Sequence, residues 1–423
     1  MNIEEIVNKK DNNIELSYEE IKYTVDNYVN GNINDNDMTL FLKSVLKNEM
    51  TSEEIYNLTK VMIESGDVID LSNINGVKVD KHSTGGVGDK TTLVVAPLAA
   101  ACGVKVAKMS GRSLGFTGGT IDKLESIPNF RTNLTEEEFI KQVNDIGLSL
   151  TTTAGNLVPA DKKIYALRDV TGTTNSIALI ASSIMSKKIA SGSDKIVLDV
   201  KVGKGAFMKN IDDAKKLSKT MIDIGKRFNK EVIAILTNMD YPLGNTIGNS
   251  IEVKEAIDTL NGHGEERFTS LCIIIASYMV SIGKNISIDD ALDLVVEKLN
   301  SKEGLNKFYE FIKYQGGDIN SIEYAKYKLE IKSNKDGYLI DIDTLALADF
   351  INSLGAGRKT KNDLINHKVG LILNKKINDK ITKGDILGYI MTDNIINIDN
   401  LVEYFKIEPN NIDNINMILD IIK

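Results

Sequence analysis

The sequence predicts an α/β protein: a helical domain, a larger α/β domain with a mostly parallel sheet, and a C-terminal α+β domain. Three observations lead there. A strand–glycine–helix unit occurs three times, around residues 77–103, 104–126 and 196–208. Residues 1–65 carry S/T-x-x-E boxes, Ser17 with Glu20 and Thr51 with Glu54, each before an apolar-periodic segment. Residues 331–423 change to alternating apolar residues with Asn-Asp and Gly-Asp turns, as in KVGLILNKKINDKITKGDILGYIM. A chain of 423 residues exceeds one ordinary core, so two or three domains are expected.

The N-terminal helices hold no glycine loop and no candidate catalytic group, which suits a packing or dimer-forming domain. In the first unit, Val77 and Val79 lead into Lys81, His82, Ser83 and Thr84. Gly85, Gly86 and Gly88 follow, and Asp89 opens an Ala- and Leu-rich helix. Such a turn lets backbone N–H groups approach an anion, and the helix dipole adds positive potential. Lys81 supplies a full charge and Ser83 and Thr84 supply hydroxyl donors, so the natural ligand is phosphate. It is not a Walker A loop, because Asp89 precedes Lys90, and Thr91 stands where the third glycine of a dinucleotide fingerprint belongs. The second unit runs from Val104 and Val106 into Lys108, Met109 and Ser110, then Gly111, Gly115, Gly118, Gly119 and Thr120, with a helix start at Asp122. The tandem suggests adjacent crossovers of one parallel sheet, with ligands beyond the carboxyl ends of the strands. Thr135 with Glu138 caps a helix covering that sheet. Residues 161–192 return to helix. There Tyr165 and Arg168 share one face at i, i+3, and Ser183 and Lys187 share another at i, i+4. Spacing alone leaves a plain solvated face open for Ser183 and Lys187, because Lys188 sits next door. The third unit, IVLDVKVGKGAFM, brings Lys201, Gly203 and Gly205 to the same sheet edge.

Composition excludes other classes. Apolar residues are 42% and charged residues 26% of the chain, as in globular proteins. The net charge of −8 argues against a nucleic-acid surface. No apolar run approaches the ~18 residues of a membrane span, and the charged N-terminus shows no secretory signal. Cys102 and Cys272 lie in apolar helical contexts and read as buried thiols of a cytoplasmic protein. His263 and His367 lie in loop-like sequence and read as surface residues.

The segments KHSTGGVGD (81–89) and SGRSLGFTGGTIDKLES (110–126) resemble the thymidine and pyrimidine-nucleoside phosphorylase family. The likeness continues through residues 159–208 and through PLGNTIGNSIEVKEAI (242–257), and it covers essentially the whole chain. It implies reversible phosphorolysis: a pyrimidine nucleoside (uridine, thymidine or deoxyuridine) plus inorganic phosphate gives free base and pentose 1-phosphate. The alternative is a thymidine phosphorylase restricted to deoxynucleosides. It also implies domains at 1–66 with 161–192, at 67–160 with 193–330, and at 331–423, and a homodimer formed through the helical domain. The last of these resembles the hammerhead fold of biotinyl and lipoyl carriers, without an exposed carrier lysine.

By the same resemblance Lys81, Ser83, Ser110 and Thr120 hold phosphate, with Thr92 and Met109 nearby. Arg168, Ser183 and Lys187 bind the pyrimidine beside Tyr165, and His82 sits near the 2-oxo group, donating a hydrogen bond or a proton. Arg168 and Lys187 are expected to face a solvated cleft. Lys108 marks the broad-specificity members and is expected to serve the ribose 2-hydroxyl or a phosphate oxygen. Phe116 replaces a histidine common in the family. No organic cofactor is implied. Some members hold a potassium ion among Gly88, a threonine, and residues matching Leu243, Thr246 and Glu255. Here Lys90 stands in place of that threonine, which leaves two arrangements open: an ammonium paired with Glu255, or one pointing to solvent. Anthranilate phosphoribosyltransferases resemble this fold, but lack the pyrimidine motif of residues 159–190. A non-catalytic nucleoside sensor is expected to lose Lys81, His82, Arg168 or Lys187, and all four remain.

Overall fold

The computed structural model describes residues 1–112, 118–152, 156–358 and 363–423. The chain opens with α1 (Ile3–Asp11), α2 (Tyr18–Val29), α3 (Asp35–Asn48) and α4 (Ser52–Glu64). Each begins at a side-chain cap, and the boxes at Ser17–Glu20 and Thr51–Glu54 close in both directions. Then come β1 (Val79–Ser83), α5 (Thr91–Ala101), β2 (Val106–Ser110), α6 (Thr120–Glu125), α7 (Glu136–Ile146) and β3 (Leu148–Thr152). The returning helices are α8 (Pro159–Thr171) and α9 (Ile177–Ala190). The α/β layer resumes with β4 (Lys195–Val202), α10 (Ile211–Arg227), β5 (Glu231–Asn238), β6 (Thr246–Gly248), α11 (Ser250–Leu260), α12 (Glu266–Lys284), α13 (Ile288–Asn300) and α14 (Glu303–Tyr314). The C-terminal part holds β7 (Tyr327–Lys332), β8 (Gly337–Ile342), α15 (Thr344–Ile351), β9 (Gly370–Leu373), β10 (Lys380–Ile381), β11 (Ile386–Thr392), β12 (Phe405–Glu408) and β13 (Ile418–Ile422).

Strands β1, β4 and β5 run parallel in one ladder, and β2 and β3 run parallel in another. A single parallel bridge, Lys78 to Lys105, joins the two, with Val79 N donating to Lys105 O at 2.9 Å. The first two glycine units therefore leave neighbouring strands, but the layer is two ladders rather than the one sheet expected. Lys81–Ser83, Lys108–Ser110 and Lys201 all lie near the carboxyl ends of their strands.

Alternation along β4 and β5 sends side chains to two cores. Ile196, Leu198 and Leu236 face the helical domain, in one cluster with Phe41, Leu58, Ile164 and Met185. Val197, Ile233 and Ile235 face α5 and α12 on the other side. α12 corrects the expectation about apolar runs, because by length and composition alone it could cross a membrane. Its place explains its apolarity: it packs against α5, α13 and β4, with Phe268, Leu271, Ile275 and Met279 buried.

Two short strands cross the expected domain boundaries. β6, from the α/β half, joins the antiparallel C-terminal sheet β6–β9–β11–β7. β13 returns to pair antiparallel with β5. The second C-terminal sheet, β10–β8–β12, is also antiparallel and shares its core with α15.

Candidate active site

Two of the phosphate candidates, Lys81 and Ser83 on β1, meet the N-terminus of α5. Lys81 is buried; its ammonium donates to Thr91 Oγ1 and lies 3.4 Å from Asp199 Oδ2. Ser83 Oγ donates to Asp89, and Asp89 also accepts from Thr91 N at 3.1 Å and Thr91 Oγ1 at 2.6 Å. Lys201 lies 2.8 Å from Asp199 Oδ2, outside hydrogen-bonding geometry. Lys81, Lys201 and Asp199, all buried, thus form with the partly accessible Asp89 a group with two charges of each sign. Burial alone would raise the Asp89 carboxyl, but Lys81, Lys201 and the two hydroxyls hold it well below the usual carboxylate range. Burial would lower Lys201, and Asp199 and Asp89 outweigh it, so its ammonium is held the more firmly.

Thr92 lies in the first turn of α5, which has no acidic residue and no side-chain cap. Ser110 ends β2 and Thr120 opens α6, both partly accessible, and Met109 is buried in a cluster with Leu71, Ile74 and Phe139. Lys108 is buried and turned beneath β1: it donates to Lys81 O at 2.6 Å and lies 3.3 Å from Asp80 Oδ1. Burial, with Lys188 and Lys81 nearby, pushes its pKa down to about 8 against the pull of Asp80.

The pyrimidine candidates come from α8 and α9. Lys187 Nζ donates to Asp161 Oδ2 at 2.6 Å and Ser183 Oγ at 3.0 Å, and lies 5.9 Å from the Tyr165 ring centre. Its side chain is 35% exposed. Arg168 differs from the expectation of a solvated cleft: it is only 2% exposed. Its guanidinium donates to the carbonyls of Thr173 (3.2 Å), Thr174 (2.9 Å) and Leu179 (3.1 Å), bracing the turn between the two helices. Among the described residues, two of the five N–H groups of the guanidinium have no acceptor.

Lys188, next to Lys187, faces the other way. It donates to Asp80 Oδ2 at 2.6 Å and Met109 O at 3.2 Å, tying α9 to β1 and β2. Asp80 is buried; burial would raise it, and Lys108 and Lys188 hold it down as a carboxylate. His82 is partly accessible. Burial depresses its pKa well below the ordinary value, and Lys188, Lys108, Lys187 and Lys81 push further in the same direction. The imidazole is therefore neutral near pH 7 and can donate a hydrogen bond.

Sequence reasoning missed Asp80, Asp89, Asp161, Asp199 and Lys188 as partners. His367 is not the expected surface residue: it is half-buried, with Nδ1 enclosed and without a hydrogen-bond partner among the described residues. His263 is exposed. Cys102 and Cys272 are buried free thiols, and burial pushes the Cys102 thiol up to about 12 and Cys272 higher. Phe116 lies outside the described residues. Lys90, Leu243, Thr246 and Glu255 meet behind the phosphate loop, with Lys90 and Glu255 paired at 2.8 Å.

The fold and site define a glycosyltransferase. The family model for the glycosyl transferase α/β domain matches residues 75–304, and that for the helical bundle domain matches residues 4–66. A model for the pyrimidine nucleoside phosphorylase C-terminal domain matches residues 338–408. The pyrimidine-nucleoside phosphorylase of Staphylococcus epidermidis is 48% identical over 409 residues, 95% of this chain and 94% of that one. The pyrimidine-nucleoside phosphorylase of Geobacillus stearothermophilus is 49% identical, covering 92% of this chain and 91% of that one. Among solved structures, anthranilate phosphoribosyltransferase from Thermus thermophilus superposes with a TM-score of 0.59 at 16% identity, covering 73% of this chain and 98% of that one. That last likeness concerns the fold alone. The chain belongs to the pyrimidine-nucleoside phosphorylase family.

Proposed function

We propose that this enzyme catalyses the reversible phosphorolysis of pyrimidine nucleosides, with uridine, thymidine and deoxyuridine as substrates in nucleoside salvage. The observation that supports this reading best is the place of His82 on β1, directly after Lys81, where its imidazole feels Lys188, Lys108, Lys187 and Lys81 together. Phosphate held by Lys81, Ser83, Ser110, Thr120 and the start of α5 is already a nucleophile and needs positioning more than deprotonation. Its oxygen attacks the anomeric carbon as the carbon–nitrogen bond breaks. The bonding pair stays with the pyrimidine, and solvent protonates the released anion. Arg168, Ser183 and Lys187 face that developing charge, and neutral His82 donates to the 2-oxo group. Preorganised donors of this kind contribute about 3 kcal/mol each. No carboxylate pair of the glycosidase type is needed.

Ultraviolet assay of uridine with and without phosphate tests the reading. Base release that is negligible in phosphate-free buffer supports it; comparable release would mean a hydrolase.

Lys108 favours broad sugar specificity over the restricted, deoxynucleoside reading. Two of its three donors are committed to Lys81 O and Asp80, which leaves one for a ribose hydroxyl or a phosphate oxygen. Lys108→Met is expected to lower the uridine-to-thymidine ratio of kcat/KM. An unchanged ratio reduces Lys108 to a phosphate and Asp80 partner. We further propose a cytoplasmic homodimer formed through the helical domain, which exposes apolar Ile14 and Leu40. Light scattering at twice the mass of one chain is the expected result.

A further inference from the structure

The potassium site implied by the family resemblance does not fit an ion in this chain. Lys90 Nζ lies 2.6 Å from Leu243 O, 3.1 Å from Thr246 O and 2.8 Å from Glu255 Oε2. An ammonium has three N–H donors, and these three oxygens take all of them. The Phe268 ring stands on a further side, 5.2 Å from the nitrogen.

Space and charge agree. A Cβ at Gly244 would lie 2.4 Å from Glu255 Oε1 and 2.9 Å from Lys90 Nζ; one at Gly88 would lie 2.8 Å from Leu243 O and 3.1 Å from Thr246 O. Both glycines also adopt positive φ, +70° and +76°. Glu255 supplies one negative charge and is otherwise engaged by Asn245 N at 2.6 Å, Thr246 N at 2.9 Å and the Thr246 hydroxyl. The neighbouring carboxylate Glu252 lies 3.3 Å from Lys123. An added cation would meet a balanced, filled pocket.

We propose that Lys90 is a covalently tethered replacement for a monovalent cation, so that this enzyme requires none. The ammonium joins three parts of the fold. Lys90 is the N-cap residue of α5, directly after the phosphate loop. Leu243 and Thr246 flank the entry to β6, which pairs with β9 of the C-terminal sheet. Glu255 comes from α11. Lys90 is thus a positioning residue: it anchors the phosphate loop to the C-terminal layer without touching substrate.

The test is thermal unfolding of the whole chain in tetramethylammonium chloride, sodium chloride and potassium chloride at equal ionic strength. Wild type is expected to melt within about 1 °C in all three, because a ligand with no site adds no stability. A potassium-specific rise in wild-type Tm overturns the proposal. Lys90→Thr opens the ring of oxygens and is expected to melt lower in tetramethylammonium, with saturable recovery in potassium. No recovery, including a variant that stays unfolded in potassium chloride, also overturns it. Lys90→Met fills the space without charge and is expected to melt lower in every salt. A Tm equal to that of wild type would show that the ammonium holds nothing. These readouts do not depend on catalysis, so they stand or fall separately from the phosphorolysis assay.

Discussion

Arg168 donates to three carbonyls of the α8–α9 turn, and that decides what its removal does. Arg168→Ala is expected to lower kcat/KM by about 10²-fold or more through loss of a charge facing the leaving base. Unlike a residue in an open cleft, it is also expected to destabilise the fold by about 3 kcal/mol, because buried carbonyls lose their donors. Lys187→Ala is expected to show the same loss of activity with a smaller loss of stability, since its side chain is partly exposed. Urea unfolding beside steady-state kinetics separates the two; equal stability losses would contradict the assignment. His82 adds a pH signature. Its folded pKa is depressed, so below the ordinary value of about 6.5 the unfolded chain binds a proton that the folded chain does not. Stability is therefore expected to fall as pH drops from about 7.5 to about 5.5. His367, also depressed by burial, contributes with the same sign. Asp80 and Asp89 titrate well below this window. His82→Asn is expected to flatten the slope, and an unaltered slope would refute a neutral imidazole at His82.

Helix α9 carries adjacent lysines with separate tasks. Lys187 pairs with Asp161 at the proposed base site, and Lys188 fastens the helix to Asp80 on β1 and to Met109 O on β2. Lys188→Met is expected to cost about 3 kcal/mol, at the low end for a broken buried pair because Asp80 keeps Lys108. It is also expected to raise KM for both nucleoside and phosphate, because the two half-sites lose their common tie. A change in only one KM would contradict that coupling. The elements themselves were legible where their signals are local. Ser17–Glu20, Thr51–Glu54 and Thr135–Glu138 all form the expected boxes, because four consecutive residues hold the whole signal. What the sequence offers of the candidate site is its cations and glycines, not its ion pairs. Asp161 reads like any first-turn acid of a helix, and Asp80 lies 108 residues from the lysine it holds. Nothing in periodicity encodes such a distant match.

At the scale of the molecule, the same limit hid the strand exchange. β6 has three residues and β13 five, too short to show alternation or choose a partner. Their edges are set by tertiary pairing, with β13 covering the free side of β5. Removing residues 410–423 is expected to leave β5 as an open edge and to shift the protein towards aggregates in size-exclusion chromatography. A monodisperse, fully active truncation would show that β13 is dispensable. The placement of β13 also has a bearing on biosynthesis. Strands β1, β4 and β5 emerge from the ribosome by residue 238, but the strip that seals β5 emerges only with residues 418–422. At roughly 5–20 residues per second, the nascent chain carries an unsealed sheet for on the order of ten seconds or more. Translation speed over the C-terminal half therefore sets how long this enzyme is vulnerable to mispairing with its neighbours on the same message.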